Sequence, residues 1–398
     1  MEKHLSNRIN SLSESQTIAM SAKSREMKDK GIDVISLSLG EPDFNTPEFI
    51  KEAGIEAIKN NFTHYPPVPG YLELRQAISN KFKRDNNLSY SPSQIVVSTG
   101  AKQSLANVIL SLVNEGDEVI VPTPYWVSYI ELIKLAGGKP VFVSSSIDTE
   151  FKITPDQLEN AITDKSKLMI FSSPCNPSGA VYSLKELEGL KDVIKNYPNF
   201  FIISDEIYEL INFDSKHASL ASFSEVYDQV ITVNGVSKGF SMTGWRIGYI
   251  GAPEWIAKAC TKMQGQFTSA PTGISQKAAQ AAVEADPEVV EHMKRTFKKR
   301  RDLVLGLLKK IEGIKCTTPP GAFYLFPDVS FYLGKSYNGK TMNNTGDLCM
   351  FLLEVGNVAL VTGEAFGNPE CVRISYAASD KDLVKAAKRI KESLALLS

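Results

Sequence analysis

The sequence predicts an α/β protein: a three-layer α/β/α large domain on a mostly parallel sheet, with a smaller α/β domain built from both chain ends. Three observations predict it. Short β-rich apolar runs alternate with helix-period segments through the middle of the chain, the pattern of βαβ units. At 398 residues the chain is too long for one simple core and long enough for two domains. The apolar runs end in turns carrying Gly, Ser, Thr, Asn or an acid, and in a parallel sheet such ends form the ligand-binding edge. The expected division is an N-terminal arm with part of the small domain over 1–45, a large domain over 46–300, and a small C-terminal domain over 301–398.

Composition excludes several classes. The chain is 43% hydrophobic and 22% charged, with 44 Lys+Arg against 45 Asp+Glu and a net charge of -1. That balance points to neither nucleic acid nor an anionic membrane. No apolar run approaches the roughly 18 residues of a spanning helix, and Met1–Ser6 lacks the apolar core of a signal peptide. The five cysteines are scattered without metal-ligand spacing and read as reduced thiols of a cytoplasmic protein.

Taken in order, residues 1 to about 30 read as an amphipathic helical entry. Val34–Leu39 alternates like a strand and exits at Gly40, where a missing side chain would let backbone approach a ligand or simply form a turn. Thr46-Pro47-Glu48 reads as a capped helix start. His64–Tyr71 is a proline-stiffened aromatic loop, and Glu73–Arg84 reads as a helix. Ile95–Ser98, the turn Thr99-Gly100-Ala101-Lys102 and a helix over Ser104–Leu112 form a strand–turn–helix unit. That geometry turns free backbone N–H groups toward an anion. Asp117–Pro122 is a strand ending in the aromatic shelf Tyr125-Trp126, suited to a flat ring or to a packed cluster. Strands at 138–143 and 167–171 flank a helix near 155–162, and the second strand exits into Cys175-Asn176-Pro177-Ser178-Gly179.

Phe200–Ile203 is a buried strand with Asp205 at its end, where an acid needs a partner. A helix N-terminus or a protonated ring nitrogen would serve, and Tyr208 follows three residues on. Val230–Val233 leads into Ser237-Lys238. Partial burial and a nearby cation would lower the pKa of Lys238 and make it a nucleophile toward an aldehyde; an ordinary surface turn is the alternative. Helices follow from Pro253 and across 273–310, and the basic cluster Lys294–Arg301 reads as a solvated helix face. Strands at 358–363 and 371–377 close the chain. Arg373 lies mid-strand among apolar residues, and its planar fork calls for a carboxylate.

Several motifs resemble those of class I aminotransferases, from about Thr17 to the C-terminus. They are Ser237-Lys238-x-x-x-Met242-x-Gly244-Trp245-Arg246-x-Gly248-Tyr249, the Asn176-Pro-x-Gly turn, Asp205-x-x-Tyr208, Pro319-x-Gly-Ala-Phe-Tyr324 and Arg373-x-Ser-Tyr-Ala. The resemblance implies the fold type I of pyridoxal 5'-phosphate enzymes, ping-pong transamination and a homodimer. It implies that Lys238 carries the cofactor and moves the proton, and that Asp205 meets its ring nitrogen. Trp126 would lie on the ring, and Asn176 and Tyr208 on the 3'-oxygen. The phosphate would take Ala101, Lys102, Ser237 and Arg246, with Tyr65 of a second subunit. Gly40, Asn176, Arg373 and Trp126 would hold the substrate. Ser15-Gln16-Thr17 and Gly100–Gln103 resemble the bacterial aspartate aminotransferase branch, in which Thr17 and Lys102 would read a distal carboxylate. L-Aspartate and 2-oxoglutarate are then the implied substrates. An alanine, aromatic, kynurenine or prephenate aminotransferase, a lyase, or a non-catalytic protein on the same scaffold are the alternatives. Prephenate users tend to carry Lys-Pro where this chain has Ser13-Glu14.

Overall fold

The computed structural model describes residues 4–214 and 216–398. Its strands are, in chain order, β1 (Ile35–Ser36), β2 (Ile95–Ser98), β3 (Glu118–Pro122), β4 (Lys139–Val143), β5 (Ser166–Ser172), β6 (Phe201–Asp205), β7 (Val230–Gly235) and β8 (Gly248–Gly251), followed by β9 (Tyr324–Leu325), β10 (Ser336–Tyr337), β11 (Lys340–Thr341), β12 (Val358–Ala359), β13 (Val361–Thr362) and β14 (Val372–Ser375). Seven of them form the central sheet in the order β2-β8-β7-β6-β5-β3-β4. The pairs β7–β6, β6–β5, β5–β3 and β3–β4 are parallel, while β8 runs antiparallel to both its neighbours.

Side-chain alternation explains the three layers. Val97, Ile120 and Ile202 enter one buried cluster, and Val96, Val119, Val121, Phe201, Ile203, Ile231 and Val233 enter another. Successive residues of a strand point to opposite faces, so a sheet apolar on both faces must be covered on both. Each such side chain, fully buried, contributes about 1.5–3 kcal/mol. The helix Ala101–Leu112 covers one face together with Glu254–Phe267, and Gly273–Glu284 packs on Glu48–Lys59 at the other.

The chain ends meet as the sequence implies: β1 pairs in parallel with β12, and β13, β14 and β9 form a small antiparallel sheet.

Four local expectations change. The 273–310 helix is two helices, Gly273–Glu284 and Glu291–Leu308, separated by a 3-10 turn at Pro287–Val290. Within the second, Arg300 and Arg301 are buried rather than solvated. Arg300 bridges Asp43 and Asp380, and Arg301 bonds Asp214 and Asp302. Thr46 does not cap: its hydroxyl donates to the Ser241 carbonyl at 2.7 Å and accepts from Trp245 Nε1, a tertiary pair that outcompetes the local one. The N-terminal segment divides into Asn7–Asn10 and Gln16–Asp29, and the longer helix buries only Ser24. Its apolar contact is narrow: Met20 and Met27, partly buried, pack on Val34, Leu353 and Ala359.

Candidate active site

Because the strands are parallel, their C-terminal ends share one edge, and the turns that leave them meet there. Ser98 leads to Gly100 and Ala101, Pro122 to Trp126, Ser172 to Asn176, Asp205 ends β6, and Gly235 leads to Lys238. The reversed β8 begins at that same edge, since Gly248 pairs with both Ser98 and Gly235. Its reversal is what delivers Arg246, two residues earlier, to the edge. These turns line a cavity of about 260 Å³, closed on the far side by Gly40, Tyr324 and Arg373. Of the residues singled out in the sequence, Thr17, Gly40, Ala101, Lys102, Trp126, Asn176, Asp205, Tyr208, Ser237, Lys238, Arg246 and Arg373 all line it. Tyr65 does not; its side chain is 96% exposed.

At one end of the cavity, the helix Ala101–Leu112 presents its first turn, where the Gln103 N–H is taken by the Gly100 carbonyl and those of Ala101 and Lys102 have no intrahelical acceptor. Gly100 has φ +82°, and a Cβ there would run into the Arg246 guanidinium. Glycine is required both for the backbone and for that approach. Arg246 itself ends a 3-10 turn in the left-handed region and donates from Nη1 to the Thr243 carbonyl at 2.9 Å.

Asp205 is buried on the cavity floor. Tyr129 donates its hydroxyl to Asp205 Oδ2 at 2.6 Å, and the Ile207 N–H reaches Oδ1 at 3.3 Å. Burial nevertheless pushes the carboxyl up to about 6, with Glu206 adding a like charge. Its carboxylate is therefore underpaid in protein partners and favours a cationic one in the cavity.

Lys238 donates to the Gly40 carbonyl at 2.5 Å. Burial lowers its pKa to about 8, aided by Arg373 and Arg246 against the opposing Glu41 and Asp205. The amine thus carries a sizeable neutral fraction near pH 8, the form that attacks a carbonyl or accepts a proton.

Arg373 is 1% exposed. Its Nη1 donates to Asn176 Oδ1 at 2.9 Å and its Nη2 to the Ser38 carbonyl at 2.5 Å, while Nε has no partner among the described residues. The guanidinium lies between the Tyr324 and Phe366 rings, 4.7 and 4.9 Å from their centroids. No carboxylate neutralises it in these contacts, so a buried cation is left facing a cavity that admits one. Elsewhere in the cavity, Lys102 Nζ stands 5.0 Å from the Trp126 ring centroid, and the buried Thr17 hydroxyl has no partner among the described residues. Burial lowers the Lys102 pKa, with Arg246 adding to the effect.

Sequence reasoning did not single out Tyr129 and Tyr324. Tyr129 lies one helical turn after Trp126, and the two rings meet edge to face at 5.6 Å. Tyr324 ends the Gly-Ala-Phe-Tyr run, and its hydroxyl bonds that of Tyr208 at 2.7 Å. A Cβ on Gly40 would strike the same hydroxyl. Cys175, buried beside the Pro124 carbonyl, has its thiol pKa raised by burial.

The chain belongs to the class I and II aminotransferases, whose family model matches residues 32–390. It is therefore a pyridoxal phosphate-dependent transaminase of fold type I. It is 48% identical over 395 residues to a bifunctional aspartate aminotransferase and glutamate/aspartate-prephenate aminotransferase of Petunia hybrida, covering 98% of this chain and 82% of that one. A probable aspartate/prephenate aminotransferase of Rickettsia typhi is 45% identical, covering 98% of each. Among solved structures, the aspartate aminotransferase of Rhizobium meliloti superposes with a TM-score of 0.96 at 40% identity, covering 99% of this chain and 100% of that one.

The cavity fits this cofactor on its own chemistry. An unpaired helix N-terminus beside Arg246 suits a phosphate. An under-partnered buried carboxylate suits a protonated ring nitrogen, and a depressed lysine suits an aldehyde.

Proposed function

We propose that the chain transfers the amino group of L-aspartate to 2-oxoglutarate, and that the residues of the sheet edge act as follows. The bound cofactor supplies an electron sink for the charge that develops when the substrate's Cα loses its proton. Lys238 Nζ holds the cofactor between turnovers and, once released, carries the Cα proton as general base and then acid. Asp205, fixed by Tyr129, keeps the ring nitrogen protonated. Asn176 and Tyr208 hold the ring's 3'-oxygen, and Trp126 covers the ring face. The N–H groups of Ala101 and Lys102, the Ser237 hydroxyl and Arg246 hold the phosphate. Arg373 takes the α-carboxylate with the Gly40 backbone and Asn176.

The observation that carries the choice of aspartate is a second set of carboxylate-binding groups in the cavity. Lys102 and Thr17 bring an ammonium and an unpaired hydroxyl to the same cavity that Arg373 lines. A dicarboxylate can give one charge to Arg373 and the other to Lys102 and Thr17. The names borne by the relatives agree with it.

Tyr65, exposed in one chain, is assigned to the phosphate of a second subunit in a homodimer. The large and small units are assigned to 46–300 and 301–398, with the N-terminal arm (1–45) joining the small one. No helix among the described residues is long and apolar enough to cross a membrane, and a cytoplasmic protein acting on small molecules is the accompanying reading. Prephenate is the second acceptor to consider, because two of the relatives carry it in their names.

The test is the absorbance of the cofactor-loaded protein before and after L-aspartate, beside L-alanine, L-phenylalanine and L-kynurenine, with Lys238→Ala as control. Conversion to the amine form of the cofactor by aspartate, at a rate well above the other three, is the expected result. Conversion by another donor but not by aspartate overturns the specificity. Adding prephenate or 2-oxoglutarate to the converted enzyme then ranks the acceptors.

A further inference from the structure

Behind Asp205, on the other face of the sheet, lies a second set of buried charges that the reaction does not touch. Glu206 is 0% exposed, and its backbone N–H still pairs with the Val233 carbonyl, so it continues the strand alternation and points away from the cavity. Its carboxylate accepts from Ser204 Oγ at 2.9 Å and Ser219 Oγ at 2.7 Å, and meets His217 Nε2 at 2.8 Å. Beside this pair, buried Glu209 is held by the buried ammonium of Lys81 and by Asn86. Glu206, Glu209 and His217 lie close enough to chelate a cation, their ligand atoms within 4.8 Å of one another. The charge count speaks for a proton instead. Lys81 already balances Glu209, Arg84 meets Asp85 at 2.6 Å, and an imidazolium at His217 balances Glu206. Burial alone would lower the pKa of His217, but Glu206, then Glu209, outweigh it and raise the value despite Lys81. His217 Nδ1 is buried with no partner among the described residues, and His217 lines a cavity of about 360 Å³.

We propose that His217 is a positioning residue of the transaminase: as an imidazolium it neutralises Glu206, so that the adjacent Asp205 keeps its negative charge for the cofactor's ring nitrogen. A buried carboxylate with no counter-charge is a like charge one residue from Asp205, and like charges disfavour ionisation of their neighbour. The proposal rests on the reading that Asp205 meets that nitrogen.

The experiment measures the affinity of the apoenzyme for pyridoxal phosphate and for its analogue in which C–H replaces the ring nitrogen. His217→Asn is expected to weaken the natural cofactor about tenfold, the effect of one pKa unit at the pair, while leaving the analogue within about twofold. Glu206→Gln in that background is expected to restore the natural cofactor, because the uncompensated charge is gone. Equal weakening of both ligands, or no rescue, would show a packing role and overturn the proposal. Asp205→Asn is run alongside. If it fails to discriminate the two ligands, the Asp205 reading falls; if it discriminates and His217→Asn does not, only the His217 proposal falls. Should His217→Asn not fold, the ¹⁵N resonances of His217 in the wild-type apoenzyme decide. An imidazolium at pH 7.5 supports the proposal, and a neutral ring at that pH overturns it.

Discussion

The floor of the cavity and the arm over its mouth are built on opposite plans. Asp205 and Arg373 are buried, sit on or at the ends of strands, and are fixed by side chains from distant parts of the chain. Thr17 comes from a helix that buries only Ser24, and Ile18 beside it is 66% exposed at the cavity rim. The segment before that helix reaches the large sheet unit through the Ser13 N–H, which donates to Glu131 Oε2 at 2.8 Å. Groups that meet developing charge gain from being preorganised in a dry site. Groups that sort substrates need only a modest difference in affinity, which a lightly held segment supplies.

The largest losses of activity are expected at the floor. Lys238→Ala is expected to lower kcat by at least about 10⁴-fold, since it removes both the attachment point and the proton carrier; single-turnover kinetics read this directly. Asp205→Asn is expected to cost about 10²–10³-fold in kcat. It should also stabilise the apoenzyme at pH 7–8. The Asp205 carboxyl is raised from 3.8 to about 6 in the folded chain, so between those pH values the folded state binds more protons than the unfolded. Stability from this group therefore falls as pH rises through that window, and the penalty is complete above it, at most about 3 kcal/mol. Denaturant melts of both apoenzymes at pH 4 and pH 7.5 measure it: the variant's advantage is absent at the lower pH and present at the higher.

Arg373→Lys keeps the charge and loses the fork. A drop of about 10–100-fold in kcat/KM is expected, equal for aspartate and alanine, because the contact is to the carboxylate all amino acids share. With Lys102→Ala the loss is selective: about tenfold in kcat/KM for aspartate and little for alanine. An equal loss for both would return Lys102 to the cofactor phosphate alone. The smallest effect sharpens the contrast. Glu131→Gln weakens the Ser13 tether of the arm and is expected to raise KM for aspartate about threefold, within the range of one hydrogen bond, with kcat for alanine unchanged.

How much was legible in the sequence differs in the same way between the two regions. Apolar runs ending in polar turns announced the strands and their ligand-facing edge; the residue types at those ends marked Asp205, Lys238 and Asn176 for attention, and a lone arginine inside an apolar strand marked Arg373. Periodicity sees only neighbours in sequence. It was silent on Tyr129 reaching Asp205 across 76 positions and on Tyr324 reaching Tyr208 across 116. It read Arg300 and Arg301 as solvated, because the acids that allow their burial, Asp43, Asp214 and Asp380, lie far along the chain.

The sequence by itself determined the alternation of strands and helices, the two apolar faces of the sheet, and which chemical groups leave each strand, because these follow from side-chain period and turn chemistry within a few residues. Packing in three dimensions decided that β8 reverses to bring Arg246 to the common edge, that Arg373 is left buried without a carboxylate among the described residues, and that Asp205 stands between a tyrosine on one side and a histidine-balanced glutamate on the other. Those are properties of burial and of charge–charge distance, and neither exists until distant segments have packed.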